Sequence, residues 1–240
     1  MDSARIIVPA KEVYGTQIEG AYDCLRQAII DGTLAPSAKL RIDFLRKTFG
    51  FGASGLREAL SRLVADGLVE TEAQRGYRVA PISREELRDI TASRKVIEVE
   101  ALRQSIQHGP LAWEGQVVAA CHSLERVEKS MREPAPDVIM GWERANRAFH
   151  MALIAGCPSR WLLRFTELLY DQSQRYRHRT ELRRPIPRTG MSSEHKEIVA
   201  ATLDRNIESA CAALTRHIDN TAQGVESSIF GTEETGVKPR

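Results

Sequence analysis

Residues 54–81, SGLREALSRLVADGLVETEAQRGYRVAP, change periodicity once, and that change decides the fold of the first part of the chain. Leu56, Leu60, Leu63 and Val64 recur at the spacing of one helical face, with Ser54 placed to cap the helix start and Gly67 its end. After Gly67 the pattern becomes two short strand-like runs around a turn at Gly76, closed by Pro81. A helix followed by a hairpin is therefore expected.

Upstream, Ile18, Tyr22, Leu25 and Ile29 mark an earlier helix that Gly32 stops, AKLR reads as a short extended piece, and IDFLRKTFG as a second helix ended by Gly50. Helix, helix, helix, hairpin is the order of a winged helix-turn-helix. That arrangement puts the start of the third helix in the major groove of double-stranded DNA and the hairpin beside it. Arg57, one turn in, is placed to reach a guanine edge or a phosphate. Ser54, Ser61 and Arg62 lie on the same helix, and Arg75 and Gly76 form the wing tip.

Charge supports this placement. The chain of 240 residues has a net charge of only +2, yet residues 39–84 carry nine Lys/Arg against five Asp/Glu, a local +4, whereas residues 1–38 carry three against five. No apolar run approaches the roughly 18 residues of a membrane helix, and the stretch MDSARIIVPAKEVYG does not read as a signal-peptide core. A cytoplasmic protein is expected, and the four dispersed cysteines, without a CxxC, read as buried reduced thiols.

From Ser83 onward the pattern is helical. Ser83 and Glu86 fit a capping box for a helix running to His108, followed by helices near 113–133, 137–156, 159–183, 192–203 and 206–229. The expected fold class is mainly α: a winged helix at 16–81 behind an arm of residues 1–15, an all-helical antiparallel bundle at 82–230, and a tail at 231–240. Three of the six histidines, His150, His195 and His217, fall on separate helices of the bundle, and Asn146 shares a face with His150. Converging imidazoles would suit a divalent metal, zinc before nickel or manganese.

LREALSRLVADGLVE followed by QRGYRV resembles the GntR family of bacterial transcription regulators, and Arg57 falls on that family's DNA-contacting arginine. Ala53 stands where relatives often carry a base-reading arginine, and Gly55 where a proline is usual, so an operator sequence does not transfer. NRAFH, EHKEIV and RHID resemble the FCD effector domain of the FadR subfamily. The likeness spans about residues 16–229. It implies a metal held by Asn146, His150, His195 and His217, with Asn146 where many relatives have aspartate. It implies a small carboxylate effector paired with Arg94, for which an ion pair with Glu98 on an outer helix face is the alternative. Arg175 and Tyr176 are further candidates for the same pocket.

The wording of residues 52–87 is similar to that of carbon-starvation and glutarate-responsive repressors, which points to a dicarboxylate such as glutarate or 2-hydroxyglutarate. The expected function is a homodimeric, ligand-controlled repressor rather than an enzyme. Two rivals are a sensor of the metal ion itself, and a metal-dependent hydrolase with Glu194 or Glu197 beside His195 as base. The chain has no HExxH and no nucleophile motif to support the second.

Overall fold

A computed structural model describes residues 16–72, 76–130, 136–183 and 191–231. The expected arm, the wing-tip Arg75, the end of the helix expected to reach 133, and the tail beyond Gly231 lie outside the described residues. The chain divides between Ser83 and Arg84 into two compact units.

The first unit contains α1 (Gln17–Ile30), β1 (Lys39–Leu40), α2 (Ile42–Phe49), α3 (Ala53–Ala65), β2 (Val69–Glu72) and β3 (Gly76–Val79). Thr16 caps α1, its hydroxyl accepting from the Glu19 N–H at 3.1 Å. Gly50 ends α2 at φ 74°, a left-handed turn that glycine makes without strain. Buried Leu25, Leu45, Leu56, Leu60 and Leu63 make one core beneath α1, α2 and α3. The three strands pair antiparallel in the order β1-β3-β2, with Val69 opposite Val79 and Leu40 opposite Tyr77.

The start of α3 differs from expectation. Extended Gly52 occupies the cap position with no side-chain cap, and Ser54 lies exposed inside the first turn. Phe51 is buried just before it, so core packing rather than a serine cap sets where the helix begins. Its other end closes as expected, with Gly67 at φ 72° and the Leu68 N–H bonded to the Leu63 carbonyl at 2.9 Å.

The described residues of the second unit form helices and the turns between them: α4 (Arg84–His108), α5 (Leu111–Ser130), α6 (Pro136–Ile154), α7 (Arg160–Arg183), α8 (Met191–Leu203) and α9 (Ile207–Phe230). Trp113, Trp142, Phe149, Ile198 and Leu214 fill its core. Arg205 fastens the end of α4, donating to the Ile106 carbonyl at 2.8 Å and the Gly109 carbonyl at 2.7 Å while pairing with Glu114. Gly109 is required by space, because a Cβ there would stand 2.3 Å from the Trp113 ring. All four cysteines are buried and unbridged, and among the described residues no helix is long and apolar enough to cross a membrane.

Candidate functional site

In the first unit, a cleft of about 540 Å³ runs between β1, the start of α3 and the opening of β3. Lys39, Arg41, Arg57, Gly76 and Tyr77 are among its lining residues, which among the described residues include three cations and no carboxylate. Gly76, at φ 97°, opens β3 in a backbone conformation that glycine adopts without strain and places no side chain over this cleft. Arg57 is exposed there; Ser54 and Ser61 are exposed on the same helix, and Arg62 is exposed but reaches back to Glu58 at 3.5 Å. In the sequence Lys39 and Arg41 stand only in a short extended piece within the basic stretch 39–84. Their charge gains a meaning once β1 is seen to bring them beside Arg57.

In the second unit, α6, α8 and α9 bring His150, His195 and His217 together, with one ligating nitrogen of each within 4.8 Å of the others. All three are buried, and their ring centroids lie 4.7–6.2 Å apart. Nitrogens bound tetrahedrally to one zinc at about 2.1 Å lie about 3.4 Å apart, so a small inward rotation of the rings closes the set on an ion.

The unpaired atoms fit the same occupant. Neither ring nitrogen of His195 makes a hydrogen bond, although Glu128 stands 3.4 Å from its Nδ1 without the geometry of one. The Asn146 carbonyl oxygen is buried without a partner, while its amide donates to the Tyr170 hydroxyl at 2.8 Å. Buried acceptors left unpaired cost stability unless an occupant satisfies them. His217 Nδ1 is 2.8 Å from the Glu194 carboxylate, which also accepts from Asn220 at 2.6 Å. That contact fixes the ring and leaves Nε2 for the cluster, the way a metal-binding histidine is oriented.

Electrostatics favour neutral rings. Burial, then the neighbouring His217, Arg94 and His195, hold His150 well below the ordinary histidine range. Burial outweighs the Glu194 hydrogen bond and brings His217 down to about 4. Neutral imidazole is the form that binds a metal ion.

Arg94 lines the cavity beside this cluster, as do Arg177 and Thr221. The ion pair between Arg94 and Glu98 does form, at 2.6 Å, but both side chains are buried rather than on an outer face. Arg94 donates Nε and Nη2 to Glu98 and Nη1 to the Ser173 hydroxyl; Arg177 stands in the same relation to Glu143, at 3.4 Å, and shares Ser173. The guanidinium carbons of Arg94 and Arg177 lie over the Tyr170 ring, 5.6 and 4.6 Å from its centroid, and burial pushes the Tyr170 hydroxyl up to about 12. Burial opposes the charge on Arg177, but Glu143 and Tyr170 outweigh it and raise the pKa.

Arg175 and Tyr176 do not line this cavity. Arg175 donates to Gln172 at 2.7 Å, and the Tyr176 hydroxyl donates to Glu86 on α4. Helical rotation explains the difference: Arg177 follows Ser173 by four residues and Tyr170 by seven, on one face, whereas its two predecessors are turned away. The arginine-rich sequence carried the signal, but only the phase set by Tyr170 selects Arg177. Glu194 is held by His217 and Asn220, and Glu197 pairs with Arg216 at 2.6 Å, so neither stands as a base for hydrolysis.

The space enclosed by the cavity is about 10 Å³, room for one ion or water.

Comparison with known proteins agrees with both halves. The family model described as bacterial regulatory proteins, gntR family, matches residues 17–79, and the FCD domain matches residues 89–220. The chain is 40% identical over 205 residues to the HTH-type transcriptional regulator BphR of Paraburkholderia xenovorans, covering 85% of this chain and 83% of that one. It is 36% identical over 220 residues to the HTH-type transcriptional repressor GlaR of Escherichia coli, covering 90% and 98%. In fold it is similar to E. coli McbR/YncC, with a TM-score of 0.76 at 17% identity over 89% of this chain and 99% of that one.

Proposed function

Because the chain belongs to the GntR family of bacterial regulatory proteins and carries an FCD domain, a DNA-binding transcription regulator and not an enzyme, we propose that it is a repressor released by a small organic acid. The acid would bind beside a metal ion in the helical domain. The observation that carries this reading is the convergence of His150, His195 and His217 next to Arg94 and Arg177. Repression is the sign carried by the name of GlaR.

Residues 16–81 bind operator DNA, with Arg57 at the groove, Ser54, Ser61, Arg62, Arg75 and Gly76 around it, and Lys39 and Arg41 on the backbone. Residues 82–230 hold the effector and form a homodimer, so that two winged helices reach the two half-sites of an operator in the cytoplasm. His150, His195, His217 and the Asn146 oxygen hold the metal, for which zinc suits the nitrogen-rich set best and nickel or manganese are alternatives. Held by three neutral rings and an amide, the ion would keep its positive charge and leave positions for carboxylate oxygens.

Arg94 and Arg177 orient the acid, and the similarity to glutarate-responsive repressors favours a dicarboxylate such as glutarate or 2-hydroxyglutarate. An acid of that size does not fit about 10 Å³, so its entry requires the helices around the cavity to part. A conformer that opens for the acid and no longer spans both half-sites would couple binding to release. The same small cavity supports a second reading, in which the metal ion alone is the signal.

A thermal-shift screen of small carboxylic acids on zinc-loaded and chelated protein, followed by operator binding with each hit, tests both. An acid that stabilises the loaded protein and weakens its DNA binding supports the first reading. Release or capture of DNA on chelation alone, with no acid active, replaces it by the second.

A further inference from the structure

Thr221 lines the metal-site cavity one helical turn after His217, and its buried hydroxyl has no hydrogen-bond partner. A threonine within a helix ordinarily satisfies itself by donating to the carbonyl four residues back. Thr215, on the same helix, does so to Cys211 at 2.8 Å, and Thr91 does so to Leu87 at 2.7 Å. Thr221 makes no such bond. The hydroxyls of Thr166 and Thr202 are also unpartnered, but neither lines the cavity.

The rest of the lining constrains what could meet that hydroxyl. Of the described lining residues all but Ile218 are polar. A plain hydrocarbon chain or an aromatic ring would leave the Thr221 hydroxyl and the unpaired guanidinium hydrogens buried without partners. The guanidiniums keep donors to spare: each carries five N–H groups, and three of these are spent on a carboxylate and Ser173.

We propose that Thr221 is a specificity residue: it selects acids that carry a second polar group, a hydroxyl or a second carboxylate, beyond the carboxylate held at the metal and arginines. The proposal rests on the reading that an organic acid occupies this cavity. The hydroxyl donates to a second carboxylate, or exchanges a hydrogen bond with a hydroxyl, and its own burial is then satisfied. Aliphatic and aromatic monocarboxylates gain nothing from it.

Calorimetric titration of the zinc-loaded full chain with glutarate, 2-hydroxyglutarate, butyrate and benzoate tests this. The parent is expected to bind at least one of the first two about tenfold or more tighter than either of the last two. Thr221→Val, nearly the same shape, is expected to lose about tenfold for the favoured acid and to bind butyrate as the parent does, with Thr221→Ser restoring the preference; a hydrogen bond to a charged group has that order of effect. Zinc content and melting temperature accompany each titration. An unchanged preference in Thr221→Val overturns the role of Thr221 and leaves the acid-sensor reading standing. A variant that no longer loads zinc or fold normally makes the residue structural and overturns the proposal too. Binding of none of the four acids by the parent rejects the proposal, and acid binding elsewhere in the wider screen would then decide whether the sensor reading survives.

Discussion

The basic cleft of the winged helix and the helical-domain pocket handle charge in opposite ways. The cleft gathers Lys39, Arg41 and Arg57 with no carboxylate among its described lining residues, whereas the pocket pairs Arg94 with Glu98 and Arg177 with Glu143. Solvent explains the contrast. An exposed cation is stabilised by water until a phosphate replaces it, but a buried one needs its counter-ion in place. The cleft can therefore present a surplus to a polyanion. The pocket cannot, and its attraction for an acid has to come from the metal ion it would hold and from hydrogen-bond donors already oriented by Glu98, Glu143 and Ser173.

The largest effect expected is on the pocket side. If the metal supplies its missing charge, chelation should remove on the order of 4 kcal/mol of stability at metal concentrations about a thousandfold above Kd, or roughly 10 °C in melting temperature for a chain of this size. Scanning calorimetry with and without chelator measures it. A His150→Ala, His195→Ala double variant should melt at the same temperature in both conditions. A parent indifferent to chelator would break the comparison at its root, since the pocket would then have no positive charge beyond its two paired arginines.

Acid should act on the chelated protein next. His217 titrates near 4 in the folded chain and His150 also lies well below the ordinary range, whereas an unfolded histidine titrates near 6.5. Between these values the unfolded chain binds more protons, so stability is full above about pH 6.5 and falls as pH drops toward 4. His217 alone accounts for about 3 kcal/mol over that window. Glu194, held below its usual value chiefly by the His217 hydrogen bond, stays charged through most of it. Urea denaturation midpoints at pH 7, 6 and 5 measure the slope, and midpoints that do not move would mean the rings are not buried neutral.

How far each half was legible in the sequence follows the same divide. The winged helix was written in contiguous signals: the leucine spacing of α3, the glycines at 50, 67 and 76, and a hairpin of alternating residues. Its one departure, Gly52 in place of Ser54 at the helix start, came from Phe51 entering the core, which capping preference does not register. The three histidines were legible only as residues on separate helices, and their meeting depends on how α6, α8 and α9 pack. Arg177 was legible only as one of a run of arginines, and Thr221 not at all. Nothing in RYRHR distinguishes its second arginine until Tyr170 fixes the helical phase, and a threonine's failure to bond its own helix leaves no trace in sequence.

On the DNA side, Arg57→Ala should weaken operator binding by about 10- to 100-fold, the range of a good base or phosphate contact. Arg62→Ala should change it by less than about threefold, because Arg62 already leans on Glu58. Lys39→Ala and Arg41→Ala should weaken binding to all sequences alike and each lower the slope of log affinity against log salt by about one. Fluorescence anisotropy with operator and unrelated DNA at several salt concentrations separates these cases. Equal losses from Arg57 and Arg62 would show that the unpaired cations of the cleft are not what the DNA meets.

The smallest effect, and the sharpest on the pocket's charge, is expected from Asn146→Asp. The Asn146 oxygen has no partner, and its amide only reaches the Tyr170 hydroxyl; an aspartate could accept from that hydroxyl and turn a charged oxygen to the histidines. Metal affinity should rise about tenfold, consistent with a ligand that brings its own negative charge. The same charge partly neutralises the ion before any acid arrives, so affinity for a carboxylate effector should fall. Competition against a zinc indicator measures the first change, and acid titration of the zinc-loaded variant the second. If zinc binds tighter and acid binding is unaffected, the pull on the acid comes from Arg94 and Arg177 despite their carboxylate partners. The pocket would then hold usable surplus charge as the DNA cleft does.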